Sequence, residues 1–63
     1  MMMKISQLQP GFRVYEHHDD GRVTSFEVTR VRALGRRVEV TFRSLTGLES
    51  AVYPAEACLN ACR

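Results

Sequence analysis

The stretch from residue 36 to residue 43, Arg-Arg-Val-Glu-Val-Thr-Phe-Arg, alternates polar and apolar residues almost without interruption. Successive side chains of a β-strand point to opposite faces, so Val38, Val40 and Phe42 share one face of the predicted strand. The opposite face carries Arg37, Glu39, Thr41 and Arg43. This pattern is typical of an antiparallel strand with one buried and one solvated face. The rest of the chain must supply what covers the apolar face.

The chain has 63 residues, which is enough for a single domain over residues 1–63. A domain of this size buries only about 60% of the surface of its unfolded chain, so its core is small. Self-association is therefore plausible from size alone. The predicted core consists of Ile5, Leu8, Phe12, Val14, Val23, Phe26, Val28, Val31, Val38, Val40, Phe42, Leu48, Val52, Cys58 and Leu59.

A second long strand is predicted over residues 22–33. Phe26 and Val28 share one face, but Val31 is out of phase with them. A change of phase within a strand predicts a β-bulge, here near residues 29–30.

The two long strands can be aligned as a hairpin whose loop covers residues 33–36. With the bulge, this register brings the apolar residues of both strands to one face, which supports the pairing. It places four pairs opposite each other: Arg32 and Arg37, Val31 and Val38, Val28 and Val40, and Phe26 and Phe42. Like charges directly opposite each other are destabilising, so the arginine pair favours an anionic partner.

Shorter elements are predicted on either side of the hairpin. An opening strand covers residues 3–6 and another covers residues 12–16, and a turn at residues 44–47 leads to a strand over residues 48–53. In this last strand, Leu48, Ser50 and Val52 are predicted to face the core, while Ala51 and Tyr53 point outward. The opposite orientation would bury Glu49 and is disfavoured. Residues 54–62 contain proline followed by alanine, glutamate and leucine, which predicts one or two helical turns.

Five short strands with a helical turn near the end resemble the small SH3-like barrels. Gly11-Phe12-Arg13-Val14 is similar to the opening of SH3-like, KOW-like and Tudor-like domains, with Phe12 in place of their acidic residue. The resemblance implies an all-β fold, a five-stranded antiparallel SH3-like barrel with a short C-terminal helical turn.

Two stretches also resemble the plasmid-encoded type II dihydrofolate reductases, which are SH3-like tetramers. These are Pro10–Val14 and Ser50–Pro54, with Leu59 following. Ala51 stands where that family has the glutamine that contacts its ligands. The resemblance therefore implies the fold, with a reductase-like protein lacking the pore glutamine as a remote functional alternative.

Positive charge is concentrated in arginine, which accounts for eight of the nine basic residues, and the net charge is +2. The predicted strands place Arg30, Arg32, Arg37 and Arg43 on one outer face, with Tyr53 nearby as a stacking ring. Arginine suits phosphate and tyrosine suits a nucleobase, so we expect these five residues to bind DNA or RNA. A solvated face neutralised by Glu27, Glu39 and Glu49 is the alternative.

No catalytic arrangement of nucleophile and base is evident, so an enzyme is not expected, nor is a cofactor. In the His17–Gly21 loop, neighbouring side chains diverge, so no metal site is expected. The alternative function is a protein–protein interaction module or a homo-oligomeric adaptor or inhibitor. Cys58 and Cys62 predict free thiols, and no signal peptide or membrane segment is evident, so a cytoplasmic protein is expected.

Overall fold

The computed structural model describes residues 1–63 and shows an all-β chain. Its strands are β1 (Met2–Lys4), β2 (Arg13–His17), β3 (Val23–Leu34), β4 (Arg37–Ser44), β5 (Gly47–Pro54) and β6 (Cys58–Cys62). A 3₁₀ turn covers Ile5–Gln7. All neighbouring strands are antiparallel and form one sheet in the order β1-β6-β2-β3-β4-β5. The sheet is not closed, so β1 and β5 are its edges. None of the helical structure in the protein has the length and apolar character that a membrane-spanning helix requires.

The predicted bulge is present in β3. Val28 lies opposite Phe42 and Arg30 lies opposite Thr41, which leaves Thr29 as the extra residue. The Thr29 hydroxyl donates a hydrogen bond to the Thr41 carbonyl oxygen, at 3.2 Å. The bulge lets both halves of β3 direct apolar side chains to the same face, as the phase change predicted.

The predicted register between β3 and β4 is wrong by two residues. Leu34 pairs with Arg37 across a two-residue turn, where Gly35 has a φ of +66° that glycine adopts without strain. The shorter turn places Arg32 opposite Glu39 instead of opposite Arg37. The predicted repulsion between two arginines is thus replaced by an attraction between opposite charges.

The predicted orientation of β5 is also wrong. Ala51 lies opposite Val40 and Tyr53 lies opposite Val38, so both point to the core side of the sheet. Leu48 and Val52 point outward and are 65% and 49% exposed. The orientation was disfavoured because it would bury Glu49, but β5 is an edge strand and Glu49 stays exposed on it.

Residues 58–62 form a strand in place of the predicted helical turns. β6 pairs with β1 on one side and with β2 on the other, where Arg13 lies opposite Cys62 and Val14 opposite Ala61. Backbone pairing with two strands satisfies more hydrogen-bonding groups than one isolated helical turn, so it overrides the helix propensity of these residues.

The core lies on the inner face of the curved sheet. Its buried residues are Met3, Ile5, Leu8, Val14, Val28, Val38, Val40, Phe42 and Ala61. Phe12, Phe26, Val31 and Leu59 are partly buried against them. Four residues of the predicted core, namely Val23, Leu48, Val52 and Cys58, are exposed instead.

Candidate functional site

The outer face of the sheet carries the four arginines that the sequence predicted there. Arg37 and Arg43 alternate along β4 with the buried residues, and both are exposed. Arg30 and Arg32 lie on β3 opposite the outward residues Thr41 and Glu39. A fifth arginine, Arg13, reaches this face from β2. We call this surface the outer arginine face: Arg13, Arg30, Arg32, Arg37 and Arg43.

Two carboxylates partly neutralise the outer arginine face. Arg32 Nη2 lies 3.2 Å from Glu39 Oε1, and Arg43 Nη2 lies 3.0 Å from Glu27 Oε1. The other three arginines of the face form no ion pair. Five guanidinium groups against two carboxylates leave an excess of positive charge. Glu49, which was expected to contribute to neutralisation, lies on the inner side of the sheet opposite Phe42.

An open depression of ≈ 690 Å³ lies at one end of this face, bordered by Arg13 and Arg43. Four hydroxyl-bearing residues complete its polar lining: Thr24, Ser25, Ser44 and Thr46. Guanidinium and hydroxyl groups are hydrogen-bond donors to phosphate oxygens. The depression therefore has donors suited to an anion, with Glu27 between the two arginines as the competing acceptor.

Tyr53 does not belong to the outer arginine face, which corrects the predicted site. Its ring lies on the inner side and contacts Phe42 edge-on, with centroids 6.4 Å apart and planes at 85°. Burial, and secondarily the negative charge of Glu16, raises the pKa of Tyr53 above its ordinary value of 10.0. The error follows directly from the wrong orientation of β5.

The inner side of the sheet contains a cavity of ≈ 390 Å³ that the sequence did not predict. Six apolar or aromatic residues line it: Val14, Phe26, Phe42, Ala51, Tyr53 and Leu59. Glu16 and Glu49 line it as well. The sequence contains one indication of a polar group in this cavity. Glu16 has the same strand phase as Val14 and therefore faces the core side of the sheet.

The two histidines and two cysteines do not come together in a cluster that could hold a metal ion. His18 Nε2 is 2.7 Å from Thr24 Oγ1, whereas His17 Nε2 accepts a hydrogen bond from Asn60 at 3.2 Å. The Tyr15 hydroxyl is 3.3 Å from Cys62 Sγ, and this hydrogen bond raises the pKa of Tyr15. Cys58 and Cys62 are free thiols.

Comparison with known proteins finds no matching family model, no matching curated protein and no matching solved structure. The functional argument therefore rests on the two faces of the sheet. The outer one is arginine-rich, and the inner one holds an apolar cavity with acidic residues.

Proposed function

We propose that this chain is a small non-enzymatic binding module that contacts nucleic acid through its outer arginine face. The observation that carries the proposal is the gathering of five arginines on one face against two carboxylates. The fold proposed with it is SH3-like. It is supported by the order of the strands, in which β2 to β5 form a meander and β6 returns to pair with β2.

The expected mode of binding is contact with the phosphate backbone. Arg30 and Arg37 have no carboxylate partner, so phosphate can bind them without displacing an ion pair. Tyr53 lies on the inner side, so the tyrosine that was expected to stack on a base is not part of this face. Phosphate contacts carry no direct sequence information, so we expect binding that is salt-dependent and largely independent of sequence.

The test is fluorescence anisotropy of labelled single- and double-stranded DNA and RNA at several salt concentrations. The double variant Arg30→Gln/Arg37→Gln removes two phosphate contacts. Each lost contact should lower the slope of log affinity against log salt by about one. The matched control is Lys4→Gln/Arg22→Gln, which removes the same charge from two residues that are paired with Glu56 and Asp20.

The proposal predicts a reduced slope for the arginine-face variant and an unchanged slope for the control. Absence of binding at low salt would contradict it. Equal losses in both variants would also contradict it, because they would show a response to net charge alone.

A second candidate, homo-oligomer formation, is favoured by the uncovered edge of β5. This strand is eight residues long, has no lysine, and exposes Leu48 and Val52. An edge strand of this kind is a template for pairing with another strand, and antiparallel pairing of β5 with a second β5 satisfies two-fold symmetry. Analytical ultracentrifugation should then show a dimer that Val52→Lys dissociates. A monomer at all concentrations would exclude this candidate.

A further inference from the structure

The inner cavity combines an aromatic lining with carboxylates that have no partner. Among the seven acidic side chains of the protein, four form ion pairs, namely Asp20, Glu27, Glu39 and Glu56. Three do not, and two of these three, Glu16 and Glu49, line the same cavity. Both carboxylates are exposed to solvent at the apolar cavity, and neither has a basic partner although the protein has more basic than acidic residues.

The floor of the cavity is aromatic. Phe26 and Phe42 contact each other edge-on with centroids 6.0 Å apart, and Tyr53 contacts Phe42 in the same way from the other side. The Tyr53 hydroxyl makes no hydrogen bond within the protein, and it shares the cavity with Glu16 and Glu49. Aromatic faces attract cations, and carboxylates accept hydrogen bonds from ammonium groups.

We propose that the inner cavity binds a small organic amine, a protonated nitrogen on an apolar or aromatic body. The apolar body would lie against Phe26, Phe42 and Leu59, and the ammonium group would be held between Glu16 and Glu49 with the Tyr53 hydroxyl as a further acceptor. A volume of ≈ 390 Å³ lies near the lower end of the range of small-molecule sites, about 300 to 1,000 Å³, which favours a compact ligand.

The charge on the site selects against other ligand classes. Anions are repelled by Glu16 and Glu49, and neutral compounds gain only the contact with the apolar lining. The outer arginine face lies on the opposite side of the sheet, so its guanidinium groups do not neutralise the two glutamates. The inference is independent of the nucleic-acid proposal, because it uses none of the arginines.

The experiment is an NMR titration of the isotope-labelled protein with three probes that share one ring: benzylammonium, benzyl alcohol and benzoate. Benzylammonium should shift the amide signals of Ala51, Tyr53 and Leu59 and should bind at least about tenfold more tightly than benzyl alcohol, because its hydrogen bonds are charge-assisted. Benzoate should not bind. Equal affinities for benzylammonium and benzyl alcohol would overturn the proposal.

Matched variants test the two carboxylates. Glu16→Gln/Glu49→Gln keeps the shape of both side chains and should abolish the preference for benzylammonium over benzyl alcohol. The single variants Glu16→Gln and Glu49→Gln are compared with Asp19→Asn, which removes the same one charge, because Asp19 is the third unpaired carboxylate and lies outside the cavity. A similar loss in Asp19→Asn would show that only net charge matters and would contradict the site.

A final arm distinguishes a free amine from a lysine of a protein partner. The probe is N-acetyl-lysine methylamide, which has an ammonium group but no aromatic body and which carries two backbone amides. It should bind more weakly than benzylammonium. Tighter binding of the lysine derivative would overturn the inference of a small amine and would identify the cavity as a site for a basic peptide.

Discussion

Substitution of Val40 by alanine tests how much of the fold depends on the inner face of β4. Val40 is fully buried, between Val31 on β3 and Ala51 on β5. The change removes two methyl groups at about 0.8 kcal/mol each and leaves a cavity, for a cost of about 2 to 3 kcal/mol. A domain of this length has a total stability of about 3 to 9 kcal/mol. We therefore expect Val40→Ala to remove a large part of the free energy of unfolding.

The assay is urea unfolding followed by circular dichroism, together with a thermal melt. The melting temperature should fall by about 10 to 20 °C, since 1 kcal/mol corresponds to about 4 to 8 °C in a domain of this size. Val52→Ala is the matched control, because it removes the same atoms from the outward side of β5, where the side chain is 49% exposed. It should cost no more than about 1 kcal/mol, because about half of this residue is already exposed to solvent.

The comparison of the two variants decides the orientation of β5. If Val52→Ala costs as much as Val40→Ala, then Val52 is buried and the assigned faces of β4 and β5 are wrong. If both variants cost little, the inner face of β4 does not form the core.

Two further predictions concern the bulge and the tyrosine of the inner cavity. Deletion of Thr29 should abolish cooperative unfolding, because without the extra residue Phe26 and Val28 would turn to the outer face. A circular dichroism melt that still shows a native-like transition would contradict the role of the bulge. The contribution of Tyr53 to stability should be fully present below pH 10 and should be lost as the pH rises above it, because the folded state holds the Tyr53 proton more tightly than the unfolded state does. Tyr53→Phe should reduce the alkaline loss of stability in thermal melts, and the part that remains should include the contribution of Tyr15, whose pKa is also raised.

The strands of the central hairpin could be recognised from the sequence, but their exact pairing could not. The alternation in β4 and the change of phase in β3 each correspond to one physical requirement, a single buried face, and the structure satisfies both. A shift of register by two residues leaves every side chain on its face, so face patterns alone cannot detect it. The turn at Gly35 decides the register, and its two-residue form was not recognised.

The orientation of β5 and the nature of β6 depend on the tertiary structure. Glu49 argues against an inward face only if β5 is covered, and the sequence did not show that β5 is an edge. The alanines and glutamate near residues 55–61 favour a helix locally, yet pairing with β1 and β2 makes Cys58–Cys62 a strand. The faces of β3 and β4 follow from local alternation, so the sequence predicts the correct face for their arginines. The face of Tyr53 and the inner cavity both depend on the orientation of β5, so the sequence did not predict them.

The attachment of β6 has a consequence for how the molecule opens. The backbone pairing of β6 with the meander is limited to Arg13 opposite Cys62 and Val14 opposite Ala61, whereas β4 is paired with both neighbours from Arg37 to Arg43. The free energy of local opening should therefore be lower for β1 and β6 together than for the β3–β4–β5 unit. Leu59, one wall of the inner cavity, lies on β6. Local opening of β6 should thus remove one wall of the cavity without global unfolding, and amide hydrogen exchange in β1 and β6 should report this motion.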